Sequence, residues 1–414
     1  MDPYLTSLFW HWRRTDVGKV VDPELCRLYR VGRTGCCPCL CYDEFDVPGV
    51  GRGSMMCIQY FYAWAGKKGV ENFVAKHLGD DYGVNVYEMY LMIPWLIGLW
   101  KRGVVTEEAS GIPFSKYPGR EFLQELYRKV AHREGMGDLL AEGVVRASLK
   151  LGVLKQLLEE ELAENLPIPP EEAVAWSSYG GHGYCGHYDP RDYVVSGLMF
   201  AVHNRDPFDN RHEYIDLTWW SNLSLEEQMR VAKSIYGTEK AVHPIGKPRY
   251  SEEEAYVAHM SDIRACLKDS LTLCDWIFPV IVTVYGDREP PYVGDTSLEA
   301  RMFSTATGIQ VSEREFYTYG ERINNLIRAV MVREMATRDM RNLHDTLPEH
   351  YFKNPSPHTD SPPLDKERFE ELKTKYYRIK GWDHNGLPTR SKLEELGLKD
   401  VADELQRLGL LGEG

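Results

Sequence analysis

The sequence predicts a mainly α protein, and three observations carry that prediction. Apolar residues recur at helical spacing, helix-start signals are frequent, and alternating strand patterns are few. The 414 residues are enough for two or three domains around a large buried core.

Taken in order, residues 1–57 are rich in Gly, Cys and Pro, weakly periodic, and read as loop with short helices. From about Gln59 onward the pattern is mostly helical. The most apolar stretch, Tyr87 to Trp100, is too short to span a bilayer and contains Glu88 and Pro94, so it reads as a buried helix. Residues 120–134 place Phe122, Leu123, Leu126 and Val130 on one helical face. LKQLLEEELAEN at 154–165 is also helical. Four capping boxes announce helix starts: Ser224 with Glu227, Ser251 with Glu254, Thr296 with Glu299, and Ser312 with Glu315. The run from Ser312 to about Arg338 makes one long helix or two. VIVTVYG at 280–286 is the best strand candidate. KNPSPHTDSPPLD at 353–365 reads as a Pro/Ser linker over the surface, followed by helices at 366–380 and 389–408. The chain therefore divides into a cysteine-rich segment (1–57), two helical domains (58–175 and 176–352), and a linker with a C-terminal helical module (353–414).

The formal net charge is -13 and no Lys/Arg-rich run appears, which argues against non-specific nucleic-acid binding. The opening MDPYLTSLFWHWRRTD has its charges after its apolar residues and no small-residue cleavage site, unlike a signal peptide. With no membrane span expected either, a reducing cytoplasmic setting follows, where cysteines bind metal more often than they pair.

Five of the nine cysteines fall between Cys36 and Cys57; the others are Cys26, Cys185, Cys266 and Cys274. GCCPCLC at 35–41 offers Cys36, Cys37, Cys39 and Cys41 in one short loop. Such crowding suits an iron–sulfur cluster, with three ligands from the loop and a fourth from a distant cysteine. Zinc is the competing metal, but it usually takes two separated C-x-x-C knuckles, and there is no second one. Buried inert thiols are the bland alternative; Gly35 and Pro38 favour an exposed turn instead. Cys274, at the end of the helix begun by Ser251, taken alone would pass for a core cysteine.

Six segments resemble the C-terminal part of the aldehyde ferredoxin oxidoreductases. They are AHREGMGDLLAEGV (131–144), HYDPRDYVVSGLMFA (187–201), DSLTLC (269–274), GERINNLIRAVMVRE (320–334), DTLPEHYF (345–352) and YYRIKGWDHNGLPT (376–389). The resemblance implies two helical domains of that family's C-terminal type. It also implies a [4Fe-4S] cluster and a tungsten (or molybdenum) bis-pterin. The family's late cluster cysteine follows an Asp by five positions in D-x-x-G-L-C; Asp269 and Cys274 keep that spacing, with Thr272 in place of the Gly. Cys37 and Cys41 fit the second half of the family's early cysteine motif, but Thr34 stands where its first ligand belongs. Three of Cys36, Cys37, Cys39 and Cys41, with Cys274, are thus the expected ligands. Two D-x-x-G aspartates contact the pterins in this family; Asp80 with Gly83, and Asp269 with Leu273 beyond it, are the matching residues. Read without the resemblance, Asp80 to Gly83 is a helix end with Gly83 left-handed.

Aldehyde-oxidising members carry glutamates where this chain has SMMCIQYFYAWAG, around Cys57. That stretch is closer to the class II benzoyl-CoA reductases, where a cysteine ligates tungsten, and Cys57 is the candidate; a buried small residue is the alternative. In VHNRDPFDNRHEY, His212 and then His203 match the family's active-site histidine and are candidate proton donors; surface histidines are the alternative. His182, Cys185 and His187 lie in GGHGYCGHYDPR, read as a structural loop near the active site. Tyr60-Phe61-Tyr62 and Trp219-Trp220 would line an aromatic pocket or pack a core.

The family's N-terminal β-rich pterin-base domain has no counterpart segment here. A separate chain carrying that domain, and ferredoxin or an iron–sulfur subunit, are the expected partners. The chain alone is expected to be inactive. The function implied is low-potential electron transfer to or from an aromatic acyl-CoA or an aldehyde. The alternatives are ferredoxin-linked aldehyde oxidation to the carboxylate, or a non-catalytic electron-relay subunit.

Overall fold

The computed structural model describes residues 23–33, 43–55, 69–152, 189–202, 213–273, 280–283, 285–287, 289–347, 350–356 and 359–414. These fall in two compact units, 23–152 and 189–414. Both are mainly helical, as the spacing predicts.

In the first unit, α1 (Pro23–Tyr29) runs into β1 (Arg30–Arg33), which pairs antiparallel with β2 (Asp43–Val47); β3 (Gly51–Met55) pairs with the other edge of β2. This sheet corrects the reading of residues 1–57 as loop with short helices. Its apolar contribution is small: Phe45, Val47 and Met55 are buried against Leu25 and Phe73, too few residues to write a period of two. Glycine does the rest, since a Cβ at Gly53 would sit 3.1 Å from the His77 ring. Three helices form the main core here: α2 (Val70–Tyr82), α3 (Val86–Lys101) and α4 (Arg120–His132). On α4, Phe122, Leu123, Leu126 and Tyr127 are fully buried, each such apolar side chain contributing about 1.5–3 kcal/mol.

In the second unit, α5 (Val194–Ala201), α6 (Leu225–Tyr236) and α7 (Glu252–Ser270) precede a two-stranded antiparallel pair, β4 (Val280–Val282) and β5 (Val293–Asp295). Then come α8 (Leu298–Thr307), α9 (Glu313–Met335), α10 (Lys366–Lys380), α11 (Arg390–Glu395) and α12 (Lys399–Arg407). The α7 helix is buried almost all round from Glu254 to Lys268, which places it at the centre of the unit. The α9 helix crosses it at very short range, because a Cβ on Gly320 would lie 2.4 Å from the Ile263 carbonyl oxygen. The run from Ser312 is therefore one helix, and 389–408 is two, parted at Gly397 with φ 69°.

Three of the four expected capping boxes form, at Ser224, Ser251 and Ser312, with the serine and glutamate bonded both ways. The fourth does not. The residue before α8 is Ser297, whose hydroxyl donates to Asp295 Oδ1 at 2.6 Å, and Glu299 is turned inward and buried.

The expected surface linker is instead a docked strap. Arg191 Nη1 donates to the carbonyls of Asn354 (3.0 Å) and Pro355 (2.8 Å). Ser356 Oγ donates to Asp189 Oδ2 at 2.9 Å, and Ser361 Oγ to Asp192 Oδ1 at 2.6 Å. Ser356, Ser361 and Leu364 are all buried. Asp189, Arg191 and Asp192 thus anchor the stretch that its Pro/Ser composition reads as a surface linker.

A second anchor joins three of the six segments singled out in the sequence, those at 320–334, 345–352 and 376–389. Arg328 grips Asp345 with two hydrogen bonds, donates through Nε to the Gly386 carbonyl at 2.9 Å, and lies over the Trp382 ring at 4.3 Å. Tyr377 donates to Asp345, and Lys373 Nζ donates to its carbonyl at 2.7 Å. Burial alone would raise the Asp345 carboxyl, but the Arg328 guanidinium and His344 hold it far below the ordinary range.

Candidate functional site

The two aspartates singled out by D-x-x-G spacing occupy the same place in two helix ends, one in each unit. At the end of α2, Gly83 is left-handed (φ 66°, ψ 31°), its N–H donates to the Asp80 carbonyl at 3.2 Å, and Val84 N–H donates to the Gly79 carbonyl at 2.8 Å. At the end of α7, Thr272 is left-handed (φ 56°), its N–H donates to the Asp269 carbonyl at 3.1 Å, and Leu273 N–H donates to the Lys268 carbonyl at 2.9 Å. Both are paired-bond helix stops of the Schellman kind. Glycine explains the first directly. The second holds a β-branched residue where the left-handed form costs about 1–2 kcal/mol.

In each case an exposed carboxylate sits in the last turn of a helix, where the backbone dipole already presents negative charge. Asp80 is met by Lys76, four residues back and itself buried. An exposed carboxylate at such an end can accept paired hydrogen bonds from a planar donor such as a pterin's amino and ring N–H groups.

One turn before Asp269 lies a group of buried ionisable side chains that the spacing arguments missed. Glu213, Asp216, Arg264, Lys268 and Glu299 are each less than a tenth exposed. Arg264 Nη1 donates to Glu213 Oε1 at 2.6 Å, and the Tyr236 hydroxyl donates to the same oxygen at 2.6 Å. Arg264 Nη2 also reaches the Tyr317 hydroxyl at 3.1 Å. Asp216 Oδ1, Glu213 Oε2 and both Glu299 oxygens have no hydrogen-bond partner among the described residues. Burial pushes the Asp216 carboxyl well above the ordinary range and that of Glu299 up to about 7. It pulls the Lys268 ammonium down to about 8, against the attraction of Glu213, Glu299 and Asp216. The available signal was Arg264 and Lys268 one turn apart on a helix with Ala265 and Cys266 between them, a charged pair on an otherwise core-like stretch.

Cys36, Cys37, Cys39, Cys41, Cys57, Cys274, His203 and His212 lie outside the described residues, as do His182, Cys185, His187, Tyr60-Phe61-Tyr62 and the 154–165 stretch. Among the described residues no group of His, Cys, Asp and Glu is poised to hold a metal, and no helix is long and apolar enough to cross a membrane. Cys266 is buried and receives the Asn324 amide at 3.7 Å. Trp219 packs edge-on against Tyr193, with ring centroids 5.7 Å apart, against the core around α5.

Residues 9–398 match the family model described as aldehyde ferredoxin oxidoreductase, domains 2 and 3. The tungsten-containing aldehyde ferredoxin oxidoreductase of Pyrococcus horikoshii is 25% identical over 372 residues, covering 88% of this chain and 52% of that protein. A protein of Pyrococcus furiosus named as the WOR-like subunit of an aliphatic sulfonate oxidoreductase is 21% identical over 338 residues, covering 80% of this chain and 43% of its own length. The chain thus spans about half the length of the curated relatives it matches. In fold it is similar to a chain of the active site complex BamBC of benzoyl coenzyme A reductase, solved with 1,5 dienoyl-CoA. There the TM-score is 0.56 at 17% identity, over 97% of this chain and 59% of that one.

Proposed function

The chain belongs to the aldehyde ferredoxin oxidoreductase family, in the region of domains 2 and 3, and from that premise we propose that it serves a tungsten–pterin, iron–sulfur oxidoreductase working at low potential. The observation that carries this reading is the pair of helix ends. Asp80 and Asp269 are set by the same backbone hydrogen bonds although one stop uses glycine and the other threonine. Each carboxylate would accept the paired N–H groups of one pterin, with the backbone at Gly83 and Leu273 beside it.

When bound, the tungsten–pterin group supplies electron exchange with substrate and the cluster relays electrons. Three of Cys36, Cys37, Cys39 and Cys41, with Cys274, are the proposed cluster ligands. Cys57 is the proposed tungsten ligand, a soft donor for a centre already held by sulfur. His212, or His203, would hold the proton given to substrate. Cys57, and the lack of any acid in SMMCIQYFYAWAG, favour an aromatic acyl-CoA over an aldehyde. Ferredoxin or an iron–sulfur subunit would exchange the electrons.

Metal analysis with low-temperature EPR on anaerobically purified protein tests this. About four irons per chain with tungsten and pterin are expected, and Asp80→Asn or Asp269→Asn should lower pterin content while leaving iron in place. Iron without tungsten or pterin would point to the electron-relay reading, and zinc alone would sink the redox function.

A further inference from the structure

Lys76 does more at the end of α2 than its helix needs. Its side chain is 8% exposed, yet its ammonium has a single hydrogen-bond partner among the described residues, the carboxylate of Asp80, which is 55% exposed. An ammonium has three N–H donors, and burying it with two of them unused is costly. Helix stability does not account for the pair. Asp80 lies in the last turn, at the negative end of the backbone dipole, and a lysine four residues before an acid is the weaker order of the two. An ion pair with one exposed member also contributes little by itself.

A second donor without a partner stands behind the same turn. Tyr127 of α4 is fully buried, and its hydroxyl has no hydrogen-bond partner among the described residues. Its ring packs under Gly79, where an added Cβ would lie 3.7 Å away. Burial and the Asp80 charge both raise the phenol, so it keeps its proton and remains a donor. The adjoining acid, Asp81, is paired with His77 at 3.3 Å. The helix end therefore presents one open carboxylate and more donors than the described residues have acceptors for. A ligand that fits it brings an acceptor beside its own N–H groups.

We propose that Lys76 and Asp80 together read the 2-amino-4-oxo edge of a pterin, with Asp80 accepting the amino and ring N–H groups and Lys76 donating to the 4-oxo oxygen. This deepens the reading of Asp80 given above and rests on it. A carboxylate alone accepts from any planar pair of N–H groups, whereas the ammonium adds a requirement for an oxygen next to them. Each carboxylate oxygen has two lone pairs, so the bond from Lys76 leaves room for both ligand N–H groups. The arrangement is not repeated at the end of α7, because the residue four before Asp269 is Ala265. Selection for the oxo group by a lysine in this position thus belongs to the α2 end.

Calorimetric titration of the full chain with two probes tests this. One probe is pterin itself. The other is its 4-thione analogue, which keeps both N–H groups but replaces the oxygen with sulfur, a poor acceptor. The wild type should prefer pterin by about tenfold, as one hydrogen bond from a charged donor provides. Lys76→Met should bring that preference close to one, and Lys76→Arg should keep part of it. Asp80→Asn should weaken both probes alike. A cooperative melt checks that each variant folds. A preference that survives in Lys76→Met, or is absent from the wild type, overturns the proposal and leaves Asp80 as a pterin ligand. Binding that ignores Asp80→Asn, or no binding of either probe, overturns the reading of Asp80 and this proposal with it.

Discussion

Around Asp345 the carboxylate oxygens, the guanidinium of Arg328 and the ammonium of Lys373 all have hydrogen-bond partners, whereas oxygens of Glu213, Asp216 and Glu299 have none among the described residues. Both groups are buried in residues 189–414, and both are built on long helices. The first has a matched charge pair and joins three separate segments of chain. The second holds buried carboxyls raised by their burial. A fully satisfied buried pair is rigid, and removing one member is severe; a buried carboxyl such as Glu299, raised by its burial, can answer a change by taking up or giving up a proton.

The largest expected effect comes from attacking the satisfied group. Asp345→Asn leaves the Arg328 guanidinium buried without its counter-charge and should cost about 3–5 kcal/mol in urea unfolding. A midpoint that hardly moves would erase the contrast between the two groups.

Next comes pH, where the groups should act with opposite sign. Asp345 is held below its usual 3.8, so its contribution is present above that value and is lost as pH falls through the folded value. Glu299 is raised from 4.5 to about 7, so the folded state keeps a proton that the unfolded state gives up. Its contribution is present at low pH and is lost as pH rises across that window, with a slope of at most about 1.4 kcal/mol per pH unit. Unfolding of the wild type and Glu299→Gln at several pH values between those limits should converge at the acid end and separate toward neutrality, the wild type losing ground. Parallel curves would mean that Glu299 is ionised in the fold.

The smallest effect tests the helix stop beside the cluster. Thr272→Gly removes a left-handed strain of about 1–2 kcal/mol but adds about 0.5–1 kcal/mol of chain entropy, for a net gain near 0.5–1 kcal/mol. Destabilisation instead would show that the Thr272 hydroxyl, which donates to the Leu271 carbonyl at 2.7 Å, contributes more than the strain removes.

The helices were legible where a local signal coincided with burial. The face at Phe122, Leu123 and Leu126, and the boxes at Ser224, Ser251 and Ser312, follow from spacing and capping chemistry alone. The boxes also show the limit, because Glu299 has the right spacing from Thr296 and yet points into the core. The sheet at 30–55 rests on Phe45 and Val47 together with glycines fitted around His77, a tertiary condition that local pattern does not carry. Asp80 was legible because D-x-x-G is also the spacing of a helix stop, whereas Asp269, with Thr272 in place of the glycine, was reached only through the family resemblance. The cluster around Lys268 was not, since Glu213, Lys268 and Glu299 are far apart in sequence and meet only through packing.

The strap at 353–365 has the composition at which a protein engineer would choose to cut. Arg191 already occupies the carbonyls of Asn354 and Pro355 there, so in the folded protein those peptide bonds are poor protease targets. The same contact bears on how such chains recombine. A crossover placed just ahead of the strap would take residues 353–414 from one parent and the clasp at Asp189, Arg191 and Asp192 from another, parting the two aspartates from the Ser356 and Ser361 hydroxyls fitted to them. The strap is inherited with the segment around Arg191, although more than a hundred and fifty positions separate them, and a working chimera has to carry both.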